Sequence, residues 1–109
     1  MEDFNFMFDP SIKIIRCEFK GRMDTPRSNR VIDSLKKEME NILSSGVSTE
    51  ELKICFDLGS VDYISSSFLR LCLSFAKDIK AGNFSIINTS PEIMKVFKIA
   101  GLDGLLNVS

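Results

Sequence analysis

Three consecutive serines, Ser65, Ser66 and Ser67, are the residues of this chain whose type and placement best suit a defined reaction. They sit within Asp57 to Leu73, DLGSVDYISSSFLRLCL, where an apolar strand signal passes through a short polar segment into an apolar helix signal. Serines at such a point open a helix, where backbone N–H groups lack intrahelical partners and the peptide dipoles leave a partial positive charge. A phosphate is stabilised in that field, so the chemistry that fits is reversible phosphorylation of a hydroxyl. The same serines also fit plain helix capping, because serine is a preferred N-cap.

Most other chemistry is excluded by composition. The chain has no histidine, which removes Ser-His and Cys-His catalysis, histidine-bearing metal sites and histidine pH switching. No glycine-rich phosphate loop occurs, so no nucleotide cofactor is expected. Cys17, Cys55 and Cys72 are odd in number, widely spaced and flanked by apolar residues, which reads as buried thiols and neither a disulfide scaffold nor a zinc site. Fourteen basic residues against fifteen acidic ones leave a charge of -1, without the basic footprint of a nucleic-acid binder. The acidic start, Met1-Glu2-Asp3-Phe4, is unlike a secretory signal, and no apolar run approaches the ~20 residues that span a bilayer. Together these features predict a non-enzymatic, cytoplasmic protein without cofactor or metal, whose residues 1–109 form a single domain with one core.

The elements that must carry the serines follow from periodicity. Phe4, Phe6 and Phe8 alternate as in a strand ended by Asp9-Pro10, and Ser11 to Phe19 reads as its hairpin partner, with one shift in apolar phase. Gly21 to Pro26 reads as a turn that leads into a helix from Pro26 to Leu43, capped by Asp24 or Thr25, with Val31, Leu35, Met39 and Ile42 on one face. Leu52 to Leu58 contains Ile54-Cys55-Phe56, a run expected of a strand covered on both faces. Gly59 to Ile64 then reads as a connection to a second helix, Ser66 to about Lys80. Phe84 to Asn88 is a short strand, Ser90-Pro91 opens a third helix, Gly101 closes it, and Leu105 to Val108 forms an edge strand or a docked tail. Alternating strands and helices predict an α/β fold, a mixed sheet of four to five strands with three to four helices packed on it.

The order of three further segments resembles that of the anti-sigma factor antagonists built on the STAS domain, small bacterial regulators of transcription. Phe19-Lys20-Gly21-Arg22-Met23-Asp24 is similar to the family's Gly-x-Leu-Asp turn, Phe56-Asp57-Leu58 to its central strand end, and Ile99-Ala100-Gly101-Leu102 to its C-terminal Ser-Gly-Leu element. The resemblance covers most of the chain. It aligns Ser67 with the family's phosphorylated serine and Ser66 with the serine before it, while Ser65 stands where the family has aspartate and Phe68 where it has glycine. It implies phosphorylation at Ser67 or Ser66. Partner contact is implied through Asp24, Thr25, Asp62, Tyr63, Ser65, Ser66, Ser67, Phe68 and Arg70. The partner implied is an anti-sigma factor that is also a serine-protein kinase, with a serine phosphatase as a second candidate and neither nucleic acid nor membrane among them.

The residues leave two other readings open. Asp57 ends a buried strand as the acceptor aspartate of a response-regulator receiver does, although Cys17-Glu18-Phe19 offers one carboxylate where a receiver needs an acidic pair for Mg²⁺. The substitutions at Ser65 and Phe68 also fit a STAS scaffold or ligand-sensing domain that is not phosphorylated. For Phe68, which could also be an exposed interface anchor, helical spacing with Leu71, Cys72 and Phe75 favours a core position.

Overall fold

A computed structural model describes residues 3–109; Met1 and Glu2 of the acidic start lie outside the described residues. The phenylalanine alternation forms β1 (Phe4–Asp9), and Asp9 organises the turn after it by accepting hydrogen bonds from the Ser11 N–H (2.9 Å) and hydroxyl (2.6 Å). The antiparallel partner β2 (Ile14–Met23) begins later and runs further than its sequence suggests. Ile12 lies in the turn, so the shift in apolar phase falls at the strand's start. Within β2, Ile15, Cys17 and Phe19 point into the core, while Arg16, Glu18 and Lys20 point out, as an antiparallel pair solvated on one face requires.

Helix α1 (Thr25–Ser44) follows directly, capped by Asp24, whose carboxylate accepts from the Arg27 N–H at 3.1 Å. It buries the expected Val31, Leu35, Met39 and Ile42. Strand β3 (Lys53–Ile64) is parallel to β2 and corrects two expectations: Gly21 to Met23 is not a turn, and Gly59 to Ile64 is not a loop. Twelve residues of β3 run alongside the ten of β2, and register shifts between Asp57 and Ser60 and between Val61 and Tyr63 absorb the excess. These bulges put Leu58, Val61 and Ile64 inward at intervals of three, a spacing that hides the strand from a period-two reading.

Helix α2 (Ser66–Lys77), strand β4 (Phe84–Ile87) and helix α3 (Pro91–Ile99) complete the order, and the sheet reads β1-β2-β3-β4. Gly101 (φ 73°) ends α3 as expected: its N–H donates to the Lys98 carbonyl at 3.0 Å and the Leu102 N–H to the Phe97 carbonyl at 2.9 Å. The C-terminal segment docks against β4 through one bridge, Ile86 to Val108, with Leu106 buried. Among the described residues, four strands in a mixed sheet and three helices match the expected architecture.

One cluster forms the core, joining the inward residues of the sheet to the buried faces of α1, α2 and α3. The helices therefore cover one face, which corrects the expectation that β3 is covered on both. Cys55 points to the other face, opposite Arg16 in register, and is buried in a hollow shared with Met7 and Ile14. All three cysteines are free and buried, and burial pushes the Cys17 and Cys72 thiols well above their ordinary range, as inert core residues. Among the described residues, Ser28 Oγ is the buried side-chain polar atom without a hydrogen-bond partner. Ser28→Ala removes that unpaired hydroxyl and improves helix propensity, so it is expected to stabilise the chain by about 0.5–1 kcal/mol. A urea midpoint that rises with unchanged slope is the check.

Candidate functional site

The bulged pairing of β2 with β3 brings the two strands to the same level at Met23 and Ile64, where the Ser65 N–H donates to the Met23 carbonyl at 3.0 Å. The caps of two helices thus stand side by side, Asp24 for α1 and Ser65 for α2. Ser65 is 9% exposed and its hydroxyl accepts from the Phe68 N–H at 3.2 Å, so it serves as the N-cap. Ser66 and Ser67 occupy the first turn, Ser66 exposed and Ser67 half-buried.

Ser67 is where the two helix starts meet. Its Oγ lies 3.1 Å from Thr25 Oγ1, the first residue of α1, and accepts from Arg70 Nη2 at 3.2 Å. Two helix starts and a guanidinium therefore converge on one hydroxyl, an arrangement that favours a nearby anion. Thr25 and Arg70 are both exposed. Asp62 and Tyr63, expected on a loop, lie on the last turn of pleat of β3 and are exposed, and the Arg22 guanidinium sits 4.1 Å above the Tyr63 ring.

Phe68 is corrected. It is fully buried, with its ring 5.5 Å from Phe19 and 6.1 Å from Phe56, so it cannot touch a partner in the folded chain. Its helical spacing with Leu71, Cys72 and Phe75 gave that signal, and all four are buried on one face of α2. The position that aligns with glycine thus sends its side chain inward and leaves the surface beside Ser67 uncovered by it.

A groove of about 270 Å³ extends from Ser67 between the helices, lined by Asn29, Ile32 and Lys36 of α1 and by Arg70, Leu71 and Ser74 of α2. The α1 residues escaped the sequence reading. Their signal was the spacing of Asn29, Ile32 and Lys36 at three and four residues, one helical row beside the Val31 and Leu35 stripe.

Asp57, the rival acceptor, lies elsewhere. Its carboxylate accepts from Arg16 Nη2 (2.9 Å), the Gly59 N–H (2.9 Å) and Asn88 Nδ2 (3.1 Å). Burial opposes its ionisation, but the Gly59 N–H, the Asn88 amide and the Arg16 guanidinium outweigh that and hold it below the usual carboxylate range. Those lone pairs are committed, and among the described residues no group of three or more Cys, Asp or Glu is placed to hold a metal ion. A depressed folded pKa means stability that is present above the unfolded value and lost as pH falls through the folded one. Asp57→Asn is accordingly expected to be less stable than wild type at pH 7, with the difference shrinking below about pH 4. Urea midpoints of both proteins at pH 7 and pH 3 test this.

The profile of the STAS domain matches residues 7–109. A Bordetella bronchiseptica protein, BtrV, whose name describes an anti-sigma factor antagonist, is 33% identical over 82 residues, covering 72% of this chain and 71% of that protein. The fold is similar to that of Bacillus SpoIIAA, whose structure in the phosphorylated form gives a TM-score of 0.63 at 18% identity over 97% of this chain and 90% of that one. The unphosphorylated form of SpoIIAA, described as an anti-sigma factor antagonist, gives the same TM-score of 0.63, at 17% identity over 88% of this chain and 82% of that one. An anti-sigma factor antagonist from Mycobacterium paratuberculosis gives 0.66 at 12% identity, over 96% and 84% of the two chains. Among the described residues, no helix is long and apolar enough to cross a membrane.

Proposed function

The chain belongs to the STAS domain family, and from that membership we propose that it is an anti-sigma factor antagonist switched by phosphorylation of Ser67. Unmodified, it docks through the surface around Ser67 onto an anti-sigma factor that is also a serine kinase, and so frees a sigma factor. The kinase transfers the γ-phosphoryl group of ATP to Ser67 Oγ, with ADP leaving and the hydroxyl proton passing to the kinase's base. A serine phosphatase returns the hydroxyl by hydrolysis to inorganic phosphate. This chain supplies the acceptor and the docking surface, works as one domain over residues 1–109, and acts in the cytoplasm, where both ATP and RNA polymerase are found.

The observation that carries the reading is the position of Ser67 Oγ: in the first turn of α2, half-exposed, and touched by Thr25 and Arg70. Two observations support the reading despite the departures from the family pattern. Ser65 supplies the capping oxygen that an aspartate would, and Phe68 packs inward. Asp24, bonded to the Arg27 N–H, is a helix cap first; Asp62, Tyr63 and Arg70 form the exposed rim. The test is incubation of the full chain with the serine-kinase anti-sigma factors of its own genome and ATP, followed by mass spectrometry. Phosphate on Ser67 is expected. Phosphate elsewhere, or complex formation with none, would favour the scaffold reading.

A further inference from the structure

The sheet is finished on one side and left open on the other. Along β4 the chain closes its own edge: the Ile86 N–H donates to the Asn107 carbonyl (3.2 Å) and the Ser109 N–H to the Ile86 carbonyl (2.9 Å). Along β1 no other described strand pairs with the outer edge. The bond from the Lys20 N–H to the Asp3 carbonyl (2.9 Å) sets the phase of the β1–β2 ladder. Asn5, Met7 and Asp9 therefore direct their backbone groups toward β2. The N–H and C=O of Phe4, Phe6 and Phe8 face outward.

From Phe4 to Phe8 this edge has no charge, no proline and no bulge, the devices by which sheet proteins block edge pairing. Its core-side face is phenylalanine throughout, and its helix-free face carries Asn5 and Met7. The phenylalanines are half-buried on the core side, while Met7 is 63% exposed on the helix-free side and Ile12, in the adjoining turn, is 58% exposed.

We propose that β1 is a self-association edge whose partner is a second copy of this chain, paired antiparallel across a two-fold axis at Met7. In that register Met7 meets the partner's Met7, and Phe6 meets the partner's Phe8 with both residues' outward N–H and C=O groups satisfied. Asn5 meets the partner's Asp9, an amide against a carboxylate at each end. The register centred on Phe6 instead sets Asp3, already paired with Arg27 (3.1 Å) and Arg30 (3.5 Å), against the partner's Asp9 and loses the Asn5–Asp9 contact, so it is the poorer match. A six-residue edge is short against the roughly 2,000–5,000 Å² interfaces of permanent dimers, so the association is weak and reversible. It leaves α1 and α2 uncovered, and the dimer carries two copies of the Ser67 surface.

The experiment is sedimentation equilibrium of the full chain over an about 100-fold range of concentration. The weight-average mass of wild type is expected to rise from monomer toward dimer. Met7→Lys and Met7→Glu, at a position 63% exposed that borders the Cys55 hollow, are each expected to weaken association at least tenfold, with an unchanged thermal melt as the check that the monomer stays folded. Their equimolar mixture is expected to recover it, because opposite charges then meet at the axis. Wild type that remains monomeric throughout, or dimerisation that neither substitution weakens, overturns the proposal. So does a monomer that instead accepts an extended foreign peptide along β1.

Discussion

Truncation of Phe68 to alanine is expected to cost about 3–5 kcal/mol of stability, the largest effect of any single change near the candidate site. The ring is fully buried and stands edge-on to Phe19, which in turn stands edge-on to Phe56 at 4.9 Å, while Phe56 meets Phe84 at 5.0 Å. Its removal leaves a cavity where β2, β3 and α2 meet, and those surroundings are strands that cannot close around it. Ser66→Ala, one turn position away and exposed, is expected to stay within about 0.5 kcal/mol. Urea denaturation of both variants gives the comparison. A small loss for Phe68→Ala would mean that the ring is not a core residue and would reopen it as a surface anchor.

Ser67→Asp is expected to weaken binding to the anti-sigma factor by about 100-fold, roughly 2.7 kcal/mol. The expected cost has two physical sources: desolvation of a carboxylate on docking, and its charge at an interface proposed to receive a neutral hydroxyl. Within the free chain the sign is opposite. A carboxylate in the first turn of α2, beside Arg70 and Thr25, gains about 0.3–1 kcal/mol from the helix dipole. Binding should therefore fall while the melting temperature holds or rises, a pairing of outcomes that general damage to the fold cannot produce. Titration calorimetry and a thermal melt on the same preparation measure both.

The elements that sequence could place are those with an unbroken period. The Phe4, Phe6 and Phe8 alternation marked β1, and the Val31, Leu35, Met39 and Ile42 stripe marked α1 to within one residue at each end. The second half of β3 was not legible, because its two bulges replace the strand period of two with Leu58, Val61 and Ile64 at intervals of three. That loss reached the site. The approach of Thr25 to Ser67 exists because the bulges let β2 and β3 end at one level, and no local pattern links residues 42 apart. The start of α2 was legible through its serines, since a cap is a local property. Phe68 was the ambiguous position: a resemblance placed it at the surface, its helical spacing placed it in the core, and packing decided for the core.

The claim on which this account stands is that one anion on Ser67 changes who can dock while the chain keeps its fold. The direct measurement is to incorporate phosphoserine at position 67 during synthesis, which needs no kinase, and to record the amide NMR spectrum and the affinity for the anti-sigma factor of the modified chain. The expected result is a native spectrum with shifts confined to residues near Thr25, Ser67 and Arg70, together with affinity reduced by about 100-fold or more. Undiminished affinity, or a spectrum that has lost its native dispersion, would contradict it.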